Sequence, residues 1–202
     1  MKQPLKSALI GGAGLIAVAG TVLVPAAVFA ATNSANTTIN ASVAAVISLT
    51  TSGTVTLNIT PTASGSASSA SDTVSVSTNR SSGYNLKIAD SDTTLTLQNG
   101  ANTIGAASGS FASPAALGNN TWGWRVDTAG TFGAGPTSAQ TNVSVLSGTW
   151  AAIPSSSSPA TIKTTASTAT NDATTVWYGA MADTSKVDGT YTDTVTYTAT
   201  TN

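Results

Sequence analysis

From Tyr191 to Ala199 the chain alternates hydroxyl and apolar side chains. Thr192, Thr194, Thr196 and Thr198 interleave with Tyr191, Val195, Tyr197 and Ala199. A period of two places successive side chains on opposite faces of an extended backbone, so such a run is a strand with one face buried and one in water. The same period recurs along the chain. Ile39, Ala41, Val43, Ala45, Ile47 and Leu49 predict a long first strand over Ile39–Leu49. Val55, Leu57 and Ile59 predict a second, Val74 and Val76 a third, and Tyr84, Leu86 and Ile88 a fourth. Further strands are predicted at Leu95–Leu97, at Trp122, Trp124 and Val126, at Val143 and Val145, over Thr149–Ile153, around Ile162, and over Thr174–Ala182.

The segments between these runs carry turn chemistry. Residues 62–72 are mostly Ser, Ala, Gly and Thr and read as a loop. So do residues 100–120, with one helical turn expected near Pro114, and Gly130–Pro136. Composition agrees with strands. Helix formers are scarce: the chain has no Glu, and only 7% of its residues are charged, while β-branched Thr and Val abound. About eight to ten short strands separated by turn signals predict an all-β antiparallel sandwich. Neither a heptad pattern nor a tandem repeat is present.

The N-terminus reads as an export signal. Lys2 and Lys6 precede an apolar, charge-free run from Ala8 to Val24, and Val28-Phe29-Ala30 fits a small-x-small cleavage site. Cleavage after Ala30 leaves a single domain over residues 31–202. The run is also long enough to span a bilayer, so an uncleaved leader would hold the chain to the membrane. With no Cys, stability outside the cell must come from sheet pairing and apolar packing. No Leu-Pro-x-Thr-Gly sorting motif is present, and covalent wall anchoring is not expected.

Residue types narrow the chemistry. Without His or Cys the chain cannot build the usual zinc, haem or iron–sulfur sites, nor a Ser-His-Asp or Cys-His machine. Lys87, Lys163 and Lys186 have no visible activating partner. The reading is a non-enzymatic chain with no cofactor. A balance of seven basic against eight acidic residues argues against a nucleic-acid partner.

Two candidate sites remain. Asp90-Ser91-Asp92 offers oxygens to Ca²⁺, with Asp72 or Asn99 as neighbours, but no Asp-x-Asp-x-Asp-Gly loop accompanies it, and turn-forming aspartates explain the same letters. Trp122 and Trp124 share a strand face. With Trp150 and Trp177 they either carry the core or form an exposed aromatic platform for sugar rings, with Asn119, Asn120 or Asp127 reaching the hydroxyls.

Two further motifs resemble a known family. Val76-Ser77-Thr78-Asn79-Arg80-Ser81-Ser82-Gly83-Tyr84-Asn85-Leu86-Lys87-Ile88 resembles the first signature of WxL-type cell-surface domains, where a turn carrying Arg and Gly leads into Trp-x-Leu on a strand. Tyr84 stands at the Trp position and Leu86 matches. Tyr191-Thr192-Asp193-Thr194-Val195-Thr196-Tyr197-Thr198-Ala199 is similar to the second signature, Tyr-x-x-x-Leu-Thr-Trp-x-Leu, with Val for the first Leu, Tyr for Trp and Ala for the final Leu. The chain is also similar to the Thr/Ser-rich exported proteins of candidate-phylum bacteria such as the Saccharibacteria.

The resemblance implies a secreted β-sandwich held non-covalently at a Gram-positive cell wall, in contact with peptidoglycan or other surface proteins. It marks Tyr84, Leu86, Tyr191 and Tyr197 as signature positions. Read from the residues alone, Tyr84 and Tyr197 alternating with Leu86 and Val195 also serve as core packing. The expected function is that of a structural or interaction protein of the cell surface; the alternative is a carbohydrate-binding module using exposed Trp residues. Strand-like ends raise one more expectation, self-association by donation of the Ile39–Leu49 strand to a neighbour.

Overall fold

The computed structural model describes residues 31–127 and 129–202. The leader read over residues 1–30 lies outside them. The chain divides into two units, Met1–Ser42 and Val43–Asn202. The described residues of the first, 31–42, contain neither strand nor helix. The second unit is all-β, with ten strands and no helix among the described residues.

The strands are β1 (Ile47–Thr50), β2 (Ser66–Thr78), β3 (Tyr84–Asp90), β4 (Leu97–Asn99), β5 (Asn102–Ala106), β6 (Thr121–Val126), β7 (Gln140–Val143), β8 (Ala160–Thr164), β9 (Ala169–Ala182) and β10 (Val195–Thr201). The larger sheet runs β1-β2-β9-β6-β5-β4, and β7 also pairs with β2. The smaller sheet runs β10-β3-β8. All pairings are antiparallel except β5 with β6, which is parallel.

The main core lies between the sheets. Val74, Val76, Trp122, Trp124, Val126, Val176 and Tyr178 come from the larger sheet, and Tyr84, Leu86, Ile88 and Ile162 from the smaller. Strand β6 and the second half of β9, from Val176 on, are buried on both faces. The residues between these inward ones point the other way, where Trp177 and Met181 join Ala67, Leu117, Leu146 and Trp150 in a second cluster. This explains the unbroken apolar run Val176-Trp177-Tyr178, which a half-exposed strand would not tolerate.

Several expectations change. The first strand is Ile47–Thr50, not Ile39–Leu49. It pairs with its own β2, Ile47 opposite Thr78, while Val43 and Val46 are exposed at 84% and 61%. Val55–Ile59 keeps alternating burial but joins no ladder, because β7 pairs with β2 at Ala67 and Ser69. There the Ser68 hydroxyl donates to the Asn58 carbonyl at 2.6 Å and accepts from the Asn142 amide at 3.1 Å. Residues 66–72, read as loop, are the first half of β2, with Ser66, Ala67, Ser68 and Ser69 buried. Small side chains let neighbouring segments close on both faces. Within 100–120, β5 replaces part of the expected loop, and the Pro114 region forms an isolated bridge, Ala115 to Trp150, in place of a helical turn. Thr149–Ile153 is likewise held by single bridges at Trp150 and Ala151.

Candidate functional site

The four tryptophans do not form a platform. Trp122 and Trp124 point inward from β6, while Trp150 and Trp177 belong to the cluster on the opposite face of the same sheet. All four are buried. The Trp122 indole N–H donates to Leu95 O at 3.1 Å and that of Trp124 to Ala152 O at 3.0 Å. Phe111 stacks on Trp124 with centroids 5.6 Å apart, and Phe132 meets it edge-on at 5.5 Å. The polar groups read as sugar contacts are engaged too. Asn119 and Asn120 both donate to Asp183, and Asp127 accepts from Arg125. The exposed-Trp sugar site is thus corrected: the core needs these rings, and a buried ring cannot stack on a ligand.

Arg125 was not anticipated. It points away from Trp124 on β6 and is fully buried. Its guanidinium donates to Asp127 Oδ1, to Gly133 O at 2.8 Å and to Thr149 O at 3.1 Å, and lies over the Phe132 and Trp150 rings. Gly148, at φ +80°, is required there: a Cβ would collide with the guanidinium.

The two signature segments come together. β3 and β10 are antiparallel neighbours, with Leu86 opposite Ala199 and Ile88 opposite Tyr197. Tyr84 and Leu86 are fully buried; Tyr191 and Tyr197 are half-buried. Gly83, at φ +82°, makes the turn into β3, and a Cβ there would strike the Thr165 backbone. The Tyr197 and Tyr178 hydroxyls are hydrogen-bonded at 2.7 Å. On the outer face of this sheet Lys87, Thr161, Thr164, Thr196, Thr198 and Thr200 are exposed.

At the edge of the same sheet Lys163 has a partner that the sequence did not show. Its ammonium lies 2.6 Å from Asp172 Oδ1, and the Tyr84 hydroxyl donates to Asp172 Oδ2 at 2.8 Å. Burial raises the Tyr84 hydroxyl pKa, with Asp172 adding to it, so the group stays a donor. Burial pushes the Asp172 carboxyl up, but the bonds from Lys163 and Tyr84 outweigh it and hold the group below the usual range. A carboxylate depressed in the folded state adds stability above the ordinary aspartate value of about 3.9, and loses it as pH falls through the folded value. Wild type is therefore expected to exceed Asp172→Asn in stability at neutral pH, with the gap closing below about pH 4. Urea melts across that range check this; a gap independent of pH would contradict it.

The third feature is acidic. Asp90 ends β3, Asp92 lies in the following turn and Asp193 precedes β10. One carboxylate oxygen from each lies within 4.8 Å of the others. Asp72 and Asn99, read as neighbours of this site, are elsewhere: Asp72 accepts from Ser52, and Asn99 donates to Asp188 O. Asp193 takes their place because Val195 pairs with Asp90 and the Ser91 amide bonds Thr194 O at 2.9 Å. Burial pushes Asp193 up to about 6, with the charges of Asp90 and Asp92 adding, and burial likewise raises Asp90.

Comparison with known proteins finds no matching family model, curated protein or solved structure.

Proposed function

We propose that this all-β chain is an exported, non-enzymatic structural or interaction protein of the cell surface, of WxL type and held non-covalently at the wall. The observation that supports it is the pairing of β3 with β10. Segments roughly a hundred residues apart in sequence, each resembling one of the two signatures, lie side by side in one sheet. Their inward residues fill the core, while their outward residues make a hydroxyl-rich face with Thr196, Thr198 and Thr200 on β10 and Lys87 on β3. Hydroxyls and one ammonium suit hydrogen bonding to the polar glycan and peptide of a cell wall. The partners in this reading are peptidoglycan, other surface proteins and, by exchange of β1 out of its own sheet, further copies of the chain.

The burial of Trp122, Trp124, Trp150 and Trp177 removes the support for the carbohydrate-module reading in its aromatic form. Washing native cells with salt, detergent and then lysozyme tests the proposal, because the three washes separate loosely adsorbed, membrane-held and wall-held protein.

A further inference from the structure

We propose that Asp90, Asp92 and Asp193 form a calcium site that ties the entry of β10 to the end of β3. The three carboxylates come from two segments about a hundred residues apart in sequence, brought together by the Val195–Asp90 pairing. Each has one oxygen fixed by a backbone amide. Asp90 Oδ1 accepts from Asp92 at 2.9 Å, Asp92 Oδ1 from Thr94 at 2.6 Å, and Asp193 Oδ1 from Thr194 at 2.7 Å. These bonds set the side-chain directions and leave the other oxygens free.

Independent of the clustering, Oδ2 of Asp90 and Oδ2 of Asp193 are buried and meet no hydrogen-bond donor among the described residues. Asp90 as a whole is only 1% exposed. A buried carboxylate oxygen without a partner destabilises the fold unless something cationic or protic fills the gap. No basic side chain does so: the two ion pairs among the described residues are Arg125–Asp127 and Lys163–Asp172.

The donor set selects the ion. All three groups are hard anionic oxygens, which suit Ca²⁺ and not the softer metals that prefer nitrogen or sulfur. Calcium takes six to eight oxygens at about 2.3–2.6 Å and tolerates irregular geometry, so oxygens up to about 5 Å apart share one ion. Three aspartates supply part of that shell and water completes it. Sites of this modest charge outside cells work at about 0.1–1 mM calcium. The ion would neutralise repulsion where β10 joins the smaller sheet, stabilising the strand that bears the second signature-like segment.

The test is thermal melting of the full chain, first in chelator and then with increasing CaCl₂, with MgCl₂ as the ionic control. The proposal expects calcium to raise Tm by several degrees with saturation near millimolar concentrations, and magnesium to do less. Asp92→Asn, at an exposed position, should fold and need about tenfold more calcium for the same response. Asp188→Asn, an exposed aspartate outside the cluster, should respond as wild type does. The proposal is overturned if calcium leaves Tm unchanged, as it would if a shared proton held these carboxyls together. It is equally overturned if Asp92→Asn responds like wild type, or if magnesium matches calcium.

Discussion

Replacing Trp124 with alanine is expected to cost about 3–5 kcal/mol of stability, a large part of what a domain of this size has. The ring is fully buried at the centre of the inter-sheet core, between Phe111 on one face and the edge of Phe132. Removing it opens a cavity bounded by aromatics from two loops, and leaves the Ala152 carbonyl without its donor. The backbone of Trp124 also exchanges two hydrogen bonds at 2.9 Å with Ala151, so a core that collapses around the gap must drag that segment with it. Urea unfolding should show a lower midpoint with little change in slope. Trp124→Phe keeps most of the apolar contact and should lose less. A Trp124→Ala loss under about 1 kcal/mol would show that the ring is not packed in the core.

Arg125→Met is expected to cost about 2–4 kcal/mol, for a different reason: two carbonyls lose their charged donor, while Asp127, itself exposed, is taken up by water. Methionine fills much of the volume, so packing changes little. What is lost is a buried cation that satisfies Asp127 and the carbonyls of Gly133 and Thr149 at once. Those carbonyls belong to the segment that follows β6, whose Phe132 also packs on Trp124. Arg125→Lys should rescue little, since a single ammonium cannot reproduce a planar fork directed at three acceptors. Limited proteolysis should then cut between Ala129 and Thr149 before the rest of the domain. If Arg125→Met melts like wild type, the guanidinium is not what fastens this segment.

The strands were legible wherever one face is apolar and the other wet. β3 and β10 followed from Tyr84-x-Leu86-x-Ile88 and the threonine alternation, because burial on one face writes a period of two into the sequence; β6, buried on both faces, was legible only because Gly123 and Arg125 separate Trp122, Trp124 and Val126. The same rule misled at Ile39–Leu49, where alternation continues upstream of the paired residues into Val43, which is exposed. It failed at Ser66–Ala70 for the opposite reason. A strand covered on both faces by close neighbours needs small residues, and a run of Ser and Ala carries no periodicity. Arg125 could not be anticipated, since arginine ordinarily stays at the surface; the only clue was the glycine-rich stretch that makes room for it. Of the acidic cluster, Asp90 and Asp92 were visible as a local pair. Asp193 was not, because its proximity depends on the register of β10 against β3. The pairing of the two signature-like segments was the one available hint.

Fractionation of native cells tests the central claim, residence at the wall, most directly. The account predicts that the chain survives the salt and detergent washes and is released when lysozyme digests the peptidoglycan. Replacing exposed Thr196 and Thr198 together with aspartate, which sets like charge against an anionic surface, should move it to the salt wash or the medium. Recovery of the unaltered chain mainly in the culture medium, or in the detergent wash, would contradict the account.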